Sequence, residues 1–212
     1  MLKVTEIYKS IQGESTYAGL PCIFIRLTGC NLRCGWCDTD YSFYGGSQMS
    51  VDEILTEVEK LECKLVEVTG GEPLIQNETP ELVQRLLDSG CTVLVETGGA
   101  IDISMISDKA IRVMDVKCPG SDMSDKMNFD NFSKLNSNDE IKFVIMDRTD
   151  FDWATKVIQD YKLEAVAKIL FSPVFGALKP DVLAQWILDS GLEVRMQMQM
   201  HKLIWAPDVK GV

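Results

Sequence analysis

Cys30, Cys34 and Cys37 form a C-x3-C-x2-C array inside the stretch Gly29 to Asp40. A loop this short can turn three thiolates toward one region, as an iron–sulfur cluster requires. No fourth cysteine follows nearby. In a four-iron cubane, three protein ligands leave one iron free, and an open coordination position is how a metal site becomes reactive. Two other readings use the same residues. They could be three of the four ligands of a zinc site completed by His201, the single histidine, or they could be core thiols. Zinc sites more often use paired C-x2-C knuckles and chance cysteines rarely fall this close together, so the cluster reading is preferred.

Other residues carry chemistry by type and position. The polar turn Gln12-Gly13-Glu14-Ser15 presents an amide beside a carboxylate, able to hydrogen-bond a polar heterocycle or simply to form a hydrophilic bend. Arg26 is the one charge in the run Pro21 to Thr28, and an arginine in such a run reaches a surface or pairs with an anion. In Gly70-Gly71-Glu72-Pro73 the glycines permit close backbone approach to a ligand, and Glu72 would offer a carboxylate to an ammonium group. Near the end, Met196, Met198 and Met200 alternate with Gln197, Gln199 and His201, a period-two pattern in which the thioethers read as core filler.

The elements that must position these residues alternate. Residues 3 to 15 open with strand-like alternation, and Pro21 to Thr28 is a buried strand that runs straight into the cysteine loop. A Gly-rich link at Tyr44 to Ser47 precedes Ser50-Val51-Asp52-Glu53, a capping box opening a helix to about Lys60, with Ile54, Leu55, Val58 and Leu61 on its apolar face. Strand Lys64 to Thr69 leads to the Gly-Gly turn. Thr79 then reads as the N-cap of a helix with proline in its first turn, running to Asp88. Strands follow at Thr92 to Glu96, Arg112 to Asp115, Glu140 to Met146, Ala167 to Phe171 and Leu192 to Met196. Helices are expected near Asn128 to Leu135, near Asp150 to Tyr161 and at Pro180 to Ser190. This rhythm predicts an α/β fold, an incomplete TIM-like barrel of about six β/α units, with ligands at the carboxyl ends of the strands, where Cys30, Gly70, Gly71, Glu96, Lys117 and Ser172 fall.

Composition narrows the class. The chain of 212 residues is 46% hydrophobic, enough for one domain with a substantial core, here read as residues 1–212 with a cluster loop at 29–40 and a tail at 195–212. Its formal charge of −11 is a poor footprint for gripping nucleic-acid phosphates. No apolar run approaches the ~20 residues of a membrane span, and the N-terminus lacks a signal-peptide pattern. Seven cysteines without a disulfide-framework pattern suit a reducing compartment, so a cytoplasmic protein is expected.

Together, Gln12-Gly13-Glu14, Arg26, the Cys30/Cys34/Cys37 loop with Trp36 before its last cysteine and Asp38-Thr39 after it, Thr69-Gly70-Gly71-Glu72-Pro73, Asp115-Val116-Lys117-Cys118-Pro119 and His201-Lys202 resemble the 7-carboxy-7-deazaguanine synthases of the radical S-adenosylmethionine superfamily. The resemblance runs from about residue 4 to the C-terminus. Ser15 departs from it, standing where many members have glycine, and Gly120 to Asn128 matches no part of it.

The resemblance implies that Cys30, Cys34 and Cys37 ligate a 4Fe-4S cluster whose fourth iron chelates S-adenosylmethionine. It implies a cofactor site built from Trp36, Cys37, Asp38, Gly70, Gly71, Glu72, Lys117 and Ser172. Gln12, Gly13, Glu14, Arg26, Thr69, His201 and Val212 would hold the substrate, 6-carboxy-5,6,7,8-tetrahydropterin, and Thr39 would help hold Mg2+. A flavodoxin or ferredoxin would donate the electron, and a homodimer is implied. The nearest rival is an activating enzyme that makes a glycyl radical on a partner protein, which would need no Gln12, Glu14 or Thr39.

Overall fold

The computed structural model describes residues 1–207 and 209–212. Its centre is a nine-stranded sheet in the order β3-β1-β2-β4-β5-β6-β7-β8-β9. Here β1 is Leu2–Ile11, β2 Pro21–Leu27 and β3 Ser47–Met49, and β1 pairs antiparallel with both of the others. From β2 onward every pairing is parallel, through β4 (Leu65–Gly70), β5 (Thr92–Thr97), β6 (Ile111–Asp115), β7 (Glu140–Ile145), β8 (Lys168–Pro173) and β9 (Arg195–Met196). The two outermost strands do not pair with each other, so the sheet is the incomplete barrel that the strand–helix rhythm predicts.

Four crossovers carry α-helices: α1 (Val51–Lys60), α2 (Thr79–Asp88), α3 (Arg148–Tyr161) and α4 (Pro180–Ser190). Ser50 caps α1 in a complete capping box with Glu53, as its sequence predicts. The crossovers after β5 and β6 carry only short 3₁₀ turns. The helix expected near Asn128 to Leu135 is therefore corrected to a 3₁₀ segment, Phe129–Lys134. Its polar residues draw the backbone away from an α-helix: Asn128 accepts from Asp130 N, and Asn131 donates to Gly99 O and Ile101 O. Thr79 is also not the cap of α2. Glu78 holds that position, and the Thr79 hydroxyl donates to Pro73 O at 2.6 Å, tying the helix start to the Gly-Gly turn. β3, unforeseen in the glycine-rich link, is an exposed edge strand and so leaves no burial pattern to read.

The terminal strand stops short as well. The expected Leu192 to Met196 shrinks to Arg195–Met196, and the Met/Gln alternation does not continue as a strand. Past Met196 the pairing with β8 is at its last bond. Gln197 N donates to Phe171 O, Met200 N turns to Gly13 O at 3.0 Å, and the short helix α5 (His201–Ile204) begins.

The two faces of the sheet differ. Ile23, Ile25, Val66, Val68, Val93 and Val95 are buried beneath α1 and α2, and Ile141, Phe143, Ile169 and Phe171 beneath α3 and α4. Each such side chain removed from water contributes about 1.5–3 kcal/mol. The concave face is apolar only at its base, where Cys22, Phe24, Leu65, Leu94, Ile111 and Val113 cluster. The β1–β2 loop crosses the open side of the barrel: Thr16 donates from its backbone N and its hydroxyl to the Glu140 carboxylate, and Ser15 N donates to Gln197 Oε1 at 2.8 Å.

Candidate active site at the carboxyl ends of the strands

The apolar residues at the base of the concave face give way toward the carboxyl ends to Arg26 (β2), Glu67 and Thr69 (β4), Glu96 (β5), Asp115 (β6), Lys142 (β7) and Ser172 (β8), all lining a cavity of about 520 Å³. Alternation along each strand sends these residues inward while their neighbours pack under the helices.

β2 ends at Leu27 and releases the chain into an irregular loop that brings Cys30, Cys34 and Cys37 to the cavity wall, none of them in a disulfide. Opposite them the backbone of Gly71 approaches so closely that a Cβ there would stand 2.3 Å from Gly29 O and 2.7 Å from the Cβ of Cys30. Only glycine fits. Burial raises the Cys30 and Cys34 thiols, and the ammonium of Lys117 opposes that shift. Among the described residues no three His, Cys, Asp or Glu side chains converge tightly enough for one ion. A cubane does not need that convergence, because each thiolate serves a different iron. Three accessible thiols on one wall with a nearby cation fit such a cluster.

Beneath the loop lies a charged network. Lys142 donates to Glu96 and, at 3.0 Å, to Glu14, with Asp115 3.5 Å away. Burial alone would lower its pKa, but Glu14, Glu96 and Asp115 outweigh it and hold the ammonium charged. Glu96 and Asp115, which burial would raise, are kept below the ordinary carboxylate range by Lys142 and Lys117. Asp115 Oδ2 pairs with Lys117 at 2.7 Å, while Oδ1 is buried with no partner among the described residues. Glu67 differs. Burial, then Glu96 and Glu14, push it up to about 8, which favours its protonated form below that pH.

Nearly all the residues singled out from the sequence meet here. Gln12, Gly13, Glu14, Arg26, Thr69, Trp36, Asp38, Thr39, Gly70, Lys117, Ser172, His201 and Val212 all line the cavity beside the three cysteines and Gly71. Arg26 already has partners, donating to Glu6 at 2.7 Å and to the Tyr8 hydroxyl at 3.1 Å, which leaves part of its five-donor fork for a further anion. The Thr39 hydroxyl stands 3.7 Å from Cys37 Sγ, whereas the Asp38 carboxylate is occupied by Lys202 at 2.7 Å and Gln199 at 3.0 Å. Ser15 adopts φ +63°, a left-handed conformation that glycine reaches without strain, so the turn keeps the shape a glycine would give it.

Glu72 is the exception. Its carboxylate is fully buried and accepts from Leu74 N, Gly98 N and the Thr97 hydroxyl, so it braces the Gly-Gly turn instead of lining the cavity. Sequence reasoning did not single out Glu67, Lys142 or Asp115 as site residues. The available signal was the one that marked Arg26: a charge inside an otherwise apolar strand.

The C-terminal segment covers the cavity. Gly13 is required where it docks, since a Cβ there would lie 2.5 Å from His201 Nδ1. Burial lowers the His201 pKa, which keeps the imidazole neutral. Gln199 Nε2 reaches both Glu14 and Asp38, Lys210 Nζ lies 4.2 Å from the Tyr41 ring centroid, and Val212 lines the cavity.

Comparison with known proteins agrees with this geometry. Residues 24–115 match the radical SAM superfamily. The chain is 45% identical to a 7-carboxy-7-deazaguanine synthase of Koribacter versatilis, with all of both chains covered. It is 42% identical to one of Chlorobaculum tepidum, covering all of this chain and 97% of the other. Among solved structures, QueE from Escherichia coli superposes with a TM-score of 0.79 at 21% identity, covering 94% of each chain.

Proposed function

The chain belongs to the 7-carboxy-7-deazaguanine synthases, radical S-adenosylmethionine enzymes, and from that membership we propose which of its residues carry the reaction. The reaction converts 6-carboxy-5,6,7,8-tetrahydropterin to 7-carboxy-7-deazaguanine with loss of ammonia, a ring contraction in queuosine and 7-deazapurine biosynthesis. When bound, the 4Fe-4S cluster and S-adenosylmethionine supply the hydrogen-abstracting 5'-deoxyadenosyl radical.

Cys30, Cys34 and Cys37 hold the cluster, and Lys117 favours the thiolate forms of Cys30 and Cys34. Gly70 and Gly71 let the cofactor lie against bare backbone, with Trp36 to Asp38, Lys117 and Ser172 around it. Glu72 contributes by bracing that turn. Arg26 takes the substrate carboxylate with the donors left free by Glu6 and Tyr8. Gln12, Glu14, Thr69 and His201 surround the ring, and the tail through Val212 keeps water from the reactive carbon. Thr39 offers Mg2+ a hydroxyl oxygen, which suits a hard cation that takes few protein ligands. A flavodoxin or ferredoxin supplies the electron, the chain acts as one domain in a homodimer, and seven cysteines with no disulfide among them suit the cytoplasm.

The observation that carries this reading is the union of the three thiols, the Gly-Gly turn and the charged network in one cavity. Reconstituted enzyme, assayed anaerobically with dithionite, S-adenosylmethionine, Mg2+ and the carboxytetrahydropterin, is expected to form 5'-deoxyadenosine and 7-carboxy-7-deazaguanine. 5'-Deoxyadenosine without the deazaguanine would retain the cluster site and overturn the substrate site.

A further inference from the structure

Glu67 has no role in the assignments above, yet it sits at the deep end of the substrate cavity. Its partner is Gln12. Both are nearly inaccessible, at 6% and 3% exposure. The Gln12 amide is held from two sides: its Oε1 accepts from Glu14 N at 2.9 Å, and its Nε2 donates to Glu67 Oε2. A backbone N–H can only donate, so the amide oxygen must face Glu14 and the nitrogen must face Glu67. The protein bonds therefore leave one amide hydrogen and one carbonyl lone pair for a ligand, as a donor beside an acceptor.

We infer that Glu67 is a specificity-determining positioning residue, which locks the Gln12 amide against a 180° flip so that it reads the lactam edge of the pterin, N3–H beside C4=O. This inference rests on the placement of the pterin in the barrel cavity. In the β2–β4 register, Arg26 lies opposite Thr69 and Phe24 opposite Glu67, which puts Glu67 two residues, or about 7 Å, deeper than the arginine. Gln12 follows Ile11, which pairs with Pro21, so its backbone lies deeper still and its side chain reaches back to Glu67. A pterin whose carboxylate meets Arg26 therefore points its pyrimidine ring at Gln12 and Glu67. The edge formed by the 2-amino group and N3–H offers two donors and would call for a carboxylate, whereas the lactam edge complements an amide. Without Glu67 only the Glu14 N–H would hold the Gln12 amide, so the inverted pattern could be met by giving up that one bond.

The test is equilibrium binding of 6-carboxypterin and its 4-amino counterpart, in which donor and acceptor are exchanged on that edge, to holoenzyme loaded with cluster, S-adenosylmethionine and Mg2+. Wild-type enzyme is expected to prefer the 4-oxo ligand. Glu67→Leu is expected to weaken 4-oxo binding about tenfold, as loss of one buried acceptor predicts, and to remove most of the preference. Glu67→Gln keeps an acceptor in the same volume and is expected to keep the preference. Equal weakening of both ligands in Glu67→Leu, no weakening at all, or loss of preference in Glu67→Gln would overturn the inference. Gln12→Ala separates it from the reading beneath: if that variant binds both ligands as wild type does, the pterin is not at Gln12 and the substrate placement itself fails.

Discussion

The two faces of the central sheet are built from the same strands under different rules. On the helix side, Ile23, Val66, Val93, Ile141 and Phe143 are apolar, buried and served by many neighbours. On the hollow side, Arg26, Glu67, Glu96, Asp115 and Lys142 each depend on one to three specific polar partners. An apolar contact is non-directional, so the helix face tolerates exchange among residues of similar volume. A buried charge lacks that tolerance, because removing its partner leaves a desolvated group with nothing to replace water. The helix face holds the fold, and the hollow face spends stability on function.

The sharpest break in this comparison is Cys34→Ala. It is expected to abolish the cluster's visible absorbance and all 5'-deoxyadenosine formation while leaving the far-ultraviolet circular dichroism unchanged. A variant that still cleaves S-adenosylmethionine would remove Cys34 from the ligand set.

Phe143→Ala on the helix face removes a ring packed edge-on against Phe171 and Trp153. It should cost about 3–5 kcal/mol in denaturant unfolding, with kcat per folded, cluster-loaded molecule unchanged. Lys142→Met on the hollow face should differ in activity, losing most of it. Glu14 and Glu96 are 21% and 29% exposed, so water softens their isolation and the stability loss should be nearer about 3 kcal/mol. If both variants lost stability and kcat in the same proportion, the division of labour between the faces would be wrong.

The last effect concerns pH. Glu67, with an ordinary value of 4.5, is held neutral in the folded state up to about 8 by burial. Between those values the folded chain binds a proton that the unfolded chain has lost, so this group's contribution makes stability fall as pH rises through the window. Glu67→Gln should therefore melt above wild type at pH 8, by roughly 2–4 °C for each kcal/mol recovered, with the gap closing near pH 4.5. A pH-independent difference between the two would contradict a neutral, buried Glu67.

What the sequence determined by itself is what short spans determine. The cysteine spacing, the Ser50 capping box, the period of each strand and the Gly-Gly turn act within a loop or a few turns, and their partners are close in the chain. Tertiary structure decided the pairings at long separation: Gln12 with Glu67, Glu14 with Lys142, Ser15 with Gln197 and Asp38 with Lys202. It also decided that Glu72 braces the turn, and that 129–134 coils as 3₁₀ around contacts to Gly99 and Ile101. The physical reason is the pleat. Alternation tells which residues share a face, but register and curvature decide which charges meet across it, and neither is written in any one segment.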